Sequence, residues 1–171
     1  PPSPAEPGDP RGGTRARRRS VGWHTFFRFP GFEDDVRPNK RTDTRLSTPL
    51  FDLPLSAIAA GTPPTSLAQR NLLRHLTWRV PSGQAIARAM GEPVLDDGDL
   101  AELRAVYEPF VGSTPLWYYV LREADARENG AHLGPVGGRI VAEVFIGLHE
   151  LDPQSFLHSR PEFTPSLGSV P

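Results

Sequence analysis

The 171-residue chain has no cysteine. That excludes disulfides, thiolate metal sites, a thiol nucleophile and a thiolate-ligated haem, without fixing a compartment. It also lacks any uninterrupted apolar run of the ~18 residues a membrane helix needs. The best stretch, Val136 to Leu148, is cut by Arg139 and Glu143. Charge of one sign is not in excess: 19 basic against 20 acidic residues leave a net −1, which gives no general reason to expect nucleic acid or an anionic membrane as partner. No apolar h-region follows the N-terminal arginines, so no secretory signal is visible and localisation stays unknown. Strong period-two patterns and internal repeats are also lacking.

What is abundant is proline, 20, and glycine, 16, against 37% hydrophobic residues. This composition reads as modest helices joined by long irregular connections, a mainly α fold. Residues 1–20 hold five prolines, three glycines and five arginines with almost nothing apolar, and are expected to be a disordered leader. The run Arg15-Ala-Arg-Arg-Arg19 has no interleaved aromatics, and reads as a solvated tail rather than a nucleic-acid surface. Residues 164–171 are likewise expected to be a disordered tail.

From Val21 the composition changes. Trp23, Phe26, Phe27, Phe29 and Phe32 precede and span the Pro30-Gly31 turn, and a short helix over 22–29 is expected to pack these rings on the main body. Prolines 38, 49, 54, 63 and 64 then impose extended chain with at most one helical turn. Thr65 or Ser66 is placed to cap a helix running to about Leu76. A second helix follows Pro81-Ser82, over about 84–90, and stops at Gly91. The acidic residues of 96–99 favour the start of a helix over about 100–107. Thr114-Pro115 opens another helix, ending near Gly130. A last long helix over about 135–148 places Gly134, Gly138 and Ala142 four apart, where small residues would let a neighbouring helix approach. Arg139 and Glu143 can pair at i,i+4 on it. Asp152-Pro153 begins a final short turn.

The pair most suggestive of chemistry is Asn71 and Arg74. Three apart on a helix, they share a face, so an amide and a guanidinium can reach one ligand. The amide can orient a metal-bound imidazole and the guanidinium can clamp a carboxylate. The five histidines offer less. His24 sits among aromatics, His75 adjoins the Asn71/Arg74 pair, and His132, His149 and His158 lie near turns or helix ends, where imidazoles commonly cap or face solvent. No pair has the H-x-x-x-H spacing of a zinc helix, so no metal site is expected. Asp34-Asp35 and Asp96-Asp97 are adjacent in sequence and face apart, unlike a glycosidase dyad. Gly134-Pro-Val-Gly-Gly138 lacks the Walker lysine and a preceding strand, and reads as a packed helix start.

Several separate segments, in order, resemble the C-terminal part of the animal-type haem peroxidases, particularly their bacterial peroxinectin-like members. They are Thr42-Asp-Thr-Arg-Leu46, Pro49-Leu-Phe-Asp-Leu-Pro54, Arg70-Asn-Leu-Leu-Arg74, Pro81-Ser-Gly-Gln-Ala85, Thr114-Pro-Leu-Trp-Tyr-Tyr119 and Leu133-Gly-Pro-Val-Gly-Gly-Arg-Ile-Val-Ala-Glu143. The resemblance covers roughly residues 21–163. It implies haem b as cofactor, with Asn71 holding the N–H of the axial histidine and Arg74 pairing with a haem propionate. It also implies that the axial and distal histidines lie upstream, so the chain contains no catalytic residue of its own. The partners implied are hydrogen peroxide, an unknown electron donor and the N-terminal part of the same fold. On this reading the isolated chain has negligible peroxidase activity. A haem-dependent fatty-acid oxygenase is the alternative within the fold. A helical interaction module that binds no haem, presenting Trp23, Phe26, Trp117 and Tyr118, is the alternative outside it. The chain departs from the family at Arg79, where a glycine is usual, which puts the local turn in question.

Overall fold

The computed structural model describes residues 22–37, 39–58 and 61–163. The expected leader, residues 1–20, and the expected tail, residues 164–171, lie outside the described residues, as does the Arg15–Arg19 run. The chain is mainly helical, and no strand occurs among the described residues. The described residues divide into two compact units, one within 22–41 and 46–71, the other within 42–45 and 72–163.

In the first unit, the prolines dictate short 3-10 turns joined by extended chain. These are Trp23–Thr25, Glu33–Asp35, Thr48–Phe51 and Leu55–Ala57. The region that the prolines were expected to leave with at most one helical turn therefore has three. The helix expected over 22–29 is only the first of the four turns, and its rings are not packed away: Trp23 is 62% exposed and Phe26 59%. They contact each other instead, Trp23 lying 6.3 Å from Phe26 and 6.1 Å from Phe27 between ring centroids. Turns of three or four residues cannot build the continuous apolar stripe that buries a helix face.

The division falls within helix α1 (Leu67–Thr77). Its start is as the sequence indicates, with Ser66 Oγ accepting from Gln69 N at 3.4 Å. Its end is a Schellman motif. Val80 N donates to His75 O at 3.0 Å and Arg79 N to Leu76 O at 3.1 Å, which requires a left-handed residue at Arg79. Arg79 takes φ +50°, so the turn that glycine usually makes is kept by an arginine.

The second unit holds α2 (Gly83–Met90), α3 (Ala101–Val106), α4 (Pro109–Gly112), α5 (Leu116–Glu128), α6 (Pro135–Leu151) and α7 (Phe156–Ser159). Ser82 caps α2 by accepting from Ala85 N, and Gly91, at φ +73°, closes it with the same Schellman pair of bonds. Pro115 precedes α5 as its N-cap rather than occupying its first turn. The four-residue α4 was not anticipated.

Ala87, Leu95, Leu100, Leu103, Val111, Tyr119 and Val136 form the core, contributed by α2, α3, α4, α5, α6 and the loop before α3. Burying one such leucine is worth about 2 kcal/mol. Tyr119 is fully buried, and its hydroxyl is satisfied by Leu95 N at 3.0 Å. Its ring leaves room for nothing larger than a hydrogen on Gly83, since a Cβ there would fall 2.0 Å from Tyr119 Cγ.

Gln84, 2% exposed, ties α2 to the approach to α5. Its Nε2 donates to Val111 O at 2.8 Å and Thr114 Oγ1 at 2.7 Å, while its Oε1 accepts from Thr114 N at 2.9 Å. The start of α6 is pinned by Glu123, whose carboxylate accepts from Val136 N and Gly137 N at 3.1 Å. Burial raises the Glu123 carboxyl above its ordinary range, against the lowering effect of those two N–H groups.

The close approach of α5 and α6 uses Gly134 of the expected stripe, together with Gly137 in place of Gly138 and Ala142. Gly137 lies over Val120 and Gly134 over Glu123, whereas Gly138 meets only Leu133 and Ala142 is exposed. Arg139 and Glu143 pair as expected, Nε to Oε1 at 2.7 Å. No helix among the described residues is long and apolar enough to cross a membrane.

Candidate functional site

Both residues singled out from the sequence fall on α1, one turn apart, so helical geometry puts them on the same side of that element. Asn71 is half-buried and ends the first unit, while Arg74 is exposed and belongs to the second. Among the described residues neither the Asn71 amide nor the Arg74 guanidinium has a hydrogen-bond or ion-pair partner.

The neighbouring arginine behaves differently. Arg70 spends its guanidinium on the carbonyls of Thr62 and Pro64, at 3.4 and 3.2 Å, and so holds the loop that leads into α1. Of the two arginines in Arg70-Asn-Leu-Leu-Arg74, only Arg74 keeps its donors unspent. Chemically, Asn71 offers an amide oxygen that can accept from an imidazole N–H, and Arg74 a planar fork of donors that fits a carboxylate.

The histidines sort as follows. His24 lies 3.7 Å from Asp35 and stacks near Phe32 at the surface, a packing role. His132 pairs with Glu128 at 3.3 Å. His158 presents Nδ1 to Ser155 Oγ at 3.1 Å and to the Asp152 carbonyl at 3.0 Å. The Ser155–His158 pair has the composition of a hydrolytic dyad, but the Ser155 hydroxyl donates to His149 O at 2.6 Å. With its proton committed to a carbonyl, Ser155 is the cap of α7 rather than a nucleophile. Among the described residues no group of three or more histidines, aspartates or glutamates could hold a metal ion.

His75 stands apart. Its Nδ1 is buried without a hydrogen-bond partner, and its ring forms part of the wall of a cavity of about 320 Å³ in the second unit. Nothing in the sequence points to this cavity, because its walls come from α1, α3, α4 and α5. The Tyr118 ring forms another wall, while the Tyr118 hydroxyl donates to Glu102. Desolvation and the Glu102 carboxylate together push the Tyr118 phenol above its ordinary range.

Of the aromatics proposed as an exposed partner-binding face, Trp23 and Phe26 are exposed, but Trp117 and Tyr118 are half-buried. Further exposed apolar residues lie on α6, where Val144, Phe145, Ile146, Leu148 and Leu151 are all more than half exposed. The chain matches no protein-family model, no curated protein and no solved structure.

Proposed function

We propose that the chain is the C-terminal part of a haem-dependent peroxidase, and that it supplies support for the cofactor rather than the reacting groups. The observation that carries this reading is that Asn71 and Arg74, one turn apart on α1, have no partners among the described residues, whereas Arg70 is consumed by the fold. Their donor and acceptor types fit the group: a carboxylate-bearing macrocycle with an axial imidazole calls for one cationic fork and one amide acceptor.

Haem, when bound, supplies the reduction of peroxide and the oxidation of a donor. Arg74 would hold a propionate by charge-assisted hydrogen bonds. Asn71 would accept the N–H of an iron-binding imidazole, which would hold that ring's tautomer and orientation and increase its basicity at the other nitrogen. The axial histidine and the distal proton-transfer groups come from outside this chain, and the chain alone turns over no peroxide.

The test is to express the whole reading frame and measure peroxidase turnover. Asn71→Ala is expected to lower kcat roughly 10- to 100-fold, the usual cost of removing a hydrogen-bond partner from a metal-ligating histidine. Arg74→Ala is expected to weaken haem retention. Turnover indifferent to both substitutions would sink the reading.

A second reading, a helical interaction module that binds no haem, is favoured by the exposed apolar length of α6. It requires that haem leave the spectrum of the chain unchanged.

A further inference from the structure

The cavity beside His75 calls for an occupant on grounds independent of the haem reading. Its walls are the side chains of Leu72, Leu76, Leu103, Val106 and Phe110, together with Pro115 and the rings of His75 and Tyr118. These surfaces are carbon almost throughout, so an ion entering would lose its hydration with nothing in return. At about 320 Å³ the cavity is at the small end of ligand sites, and it opens to solvent along Leu76 and Val106, which are 70% and 75% exposed. It fits on the order of ten non-hydrogen atoms.

Two polar groups belong to the wall residues. The Tyr118 hydroxyl is committed to Glu102, whose Oε1 also lies 3.6 Å from Arg122 Nε, and Arg122 is itself held by Asp125 at 2.8 Å and by Asp99 O at 2.6 Å. Tyr118 therefore offers the cavity a ring. His75 Nδ1 is buried and has no partner among the described residues, an arrangement that carries the full desolvation cost of a polar atom. The imidazole ring, not Nδ1, lines the cavity as it stands, and a rotation about χ2 is needed to bring Nδ1 to an occupant. Which ring nitrogen carries the proton is open to change, and a hydroxyl serves either tautomer because it both donates and accepts. A carbonyl or an ammonium serves only one.

We propose that this cavity binds a small neutral alcohol of mostly hydrocarbon character, with its carbon skeleton against the leucine, valine and phenylalanine walls and its hydroxyl on His75 Nδ1.

The test uses the full 171-residue chain. Titration with 3-phenylpropan-1-ol, followed by amide and imidazole ¹⁵N resonances, is expected to give saturable shifts at residues 72–76 and 103–110 and at His75 Nδ1. Propylbenzene is expected to shift the same amides but to bind roughly fivefold more weakly, the worth of one neutral hydrogen bond. His75→Phe is expected to remove the difference while keeping the hydrocarbon, and Val106→Trp to abolish both. Should His75→Phe not fold, the His75 Nδ1 resonance in the unaltered chain decides the matter alone. The proposal is overturned by an absence of saturable shifts in a chain with a dispersed spectrum, by equal affinity for the two probes, or by an Nδ1 resonance unmoved at saturation. It is also overturned if these amides shift with protein concentration before any probe is added, since a second copy would then fill the cavity.

Discussion

Replacing Gln84 by leucine keeps the volume of a side chain only 2% exposed and removes every hydrogen bond it makes. Three are lost: to Val111 O at 2.8 Å, to Thr114 Oγ1 at 2.7 Å and from Thr114 N at 2.9 Å. Thr114 Oγ1 keeps its bond to Phe110 O. Thr114 N and Val111 O are left buried without this partner, at about 1–3 kcal/mol each. The added apolar burial of leucine offsets about 1 kcal/mol. The net expectation is a loss of about 3 kcal/mol, which for a unit of roughly 100 residues lowers Tm by about 15 °C. Urea unfolding followed by tryptophan fluorescence and far-ultraviolet circular dichroism measures it. Gln84→Glu sharpens the test. A carboxylate can still accept from Thr114 N, but its second oxygen replaces a donor facing Val111 O. When protonated it donates there again. Its folded-state pKa is thus raised, so its stability is greatest below the ordinary carboxyl value of about 4.3 and is lost as pH rises through the folded value. A Gln84→Leu loss under about 1 kcal/mol, or a Gln84→Glu profile parallel to that of the unaltered chain, would refute the reasoning.

Arg79→Gly should stabilise by about 0.5–1 kcal/mol, since the left-handed φ costs arginine more than glycine loses in the unfolded chain; denaturant midpoints check it. Gly83→Ala, with a Cβ 2.0 Å from Tyr119 Cγ, should cost at least about 3 kcal/mol or abolish folding, read by thermal unfolding. Glu123 has a folded pKa raised by burial, so the stability it contributes is complete below the unfolded carboxyl value of about 4.3 and lost as pH rises through the raised value. The stability of the unaltered chain relative to Glu123→Gln should accordingly fall as pH rises above about 4.3, measured as urea midpoints along that rise.

The helices were legible where their signals are local. Ser66, Ser82, Gly91 and Pro135 act within a few residues of the ends they define, and each does in the structure what the sequence indicates. Failures came where a distant partner decides. The rings of Trp23 and Phe26 have the composition of a core cluster, yet burial depends on a continuous face that three-residue turns cannot supply. Of the Gly134, Gly138, Ala142 stripe only Gly134 meets α5, and Gly137, off that four-residue spacing, is the glycine that lies on Val120. Gln84 and Thr114 lie 30 residues apart and carry no local sign of their bonds. For the candidate site, the placement of Asn71 and Arg74 on one helix was readable from spacing. That Arg70 is consumed by Thr62 and Pro64 while Arg74 is left over was not, since it depends on how the preceding loop folds back.

The most direct measurement is a titration of ferric haem into the chain in the presence of free imidazole, which stands in for the absent axial histidine. The account expects a saturable Soret change in the unaltered chain. Arg74→Ala should weaken it about tenfold or more, as loss of a charge-assisted carboxylate bond does, and Asn71→Ala should remove its dependence on imidazole. The exposed Arg104, paired with Asp97 on another helix, serves as control, and Arg104→Ala should change nothing. A spectrum unaltered by the chain, or a change equally affected by Arg104→Ala and Arg74→Ala, would contradict the haem reading and leave the helical interaction module in its place.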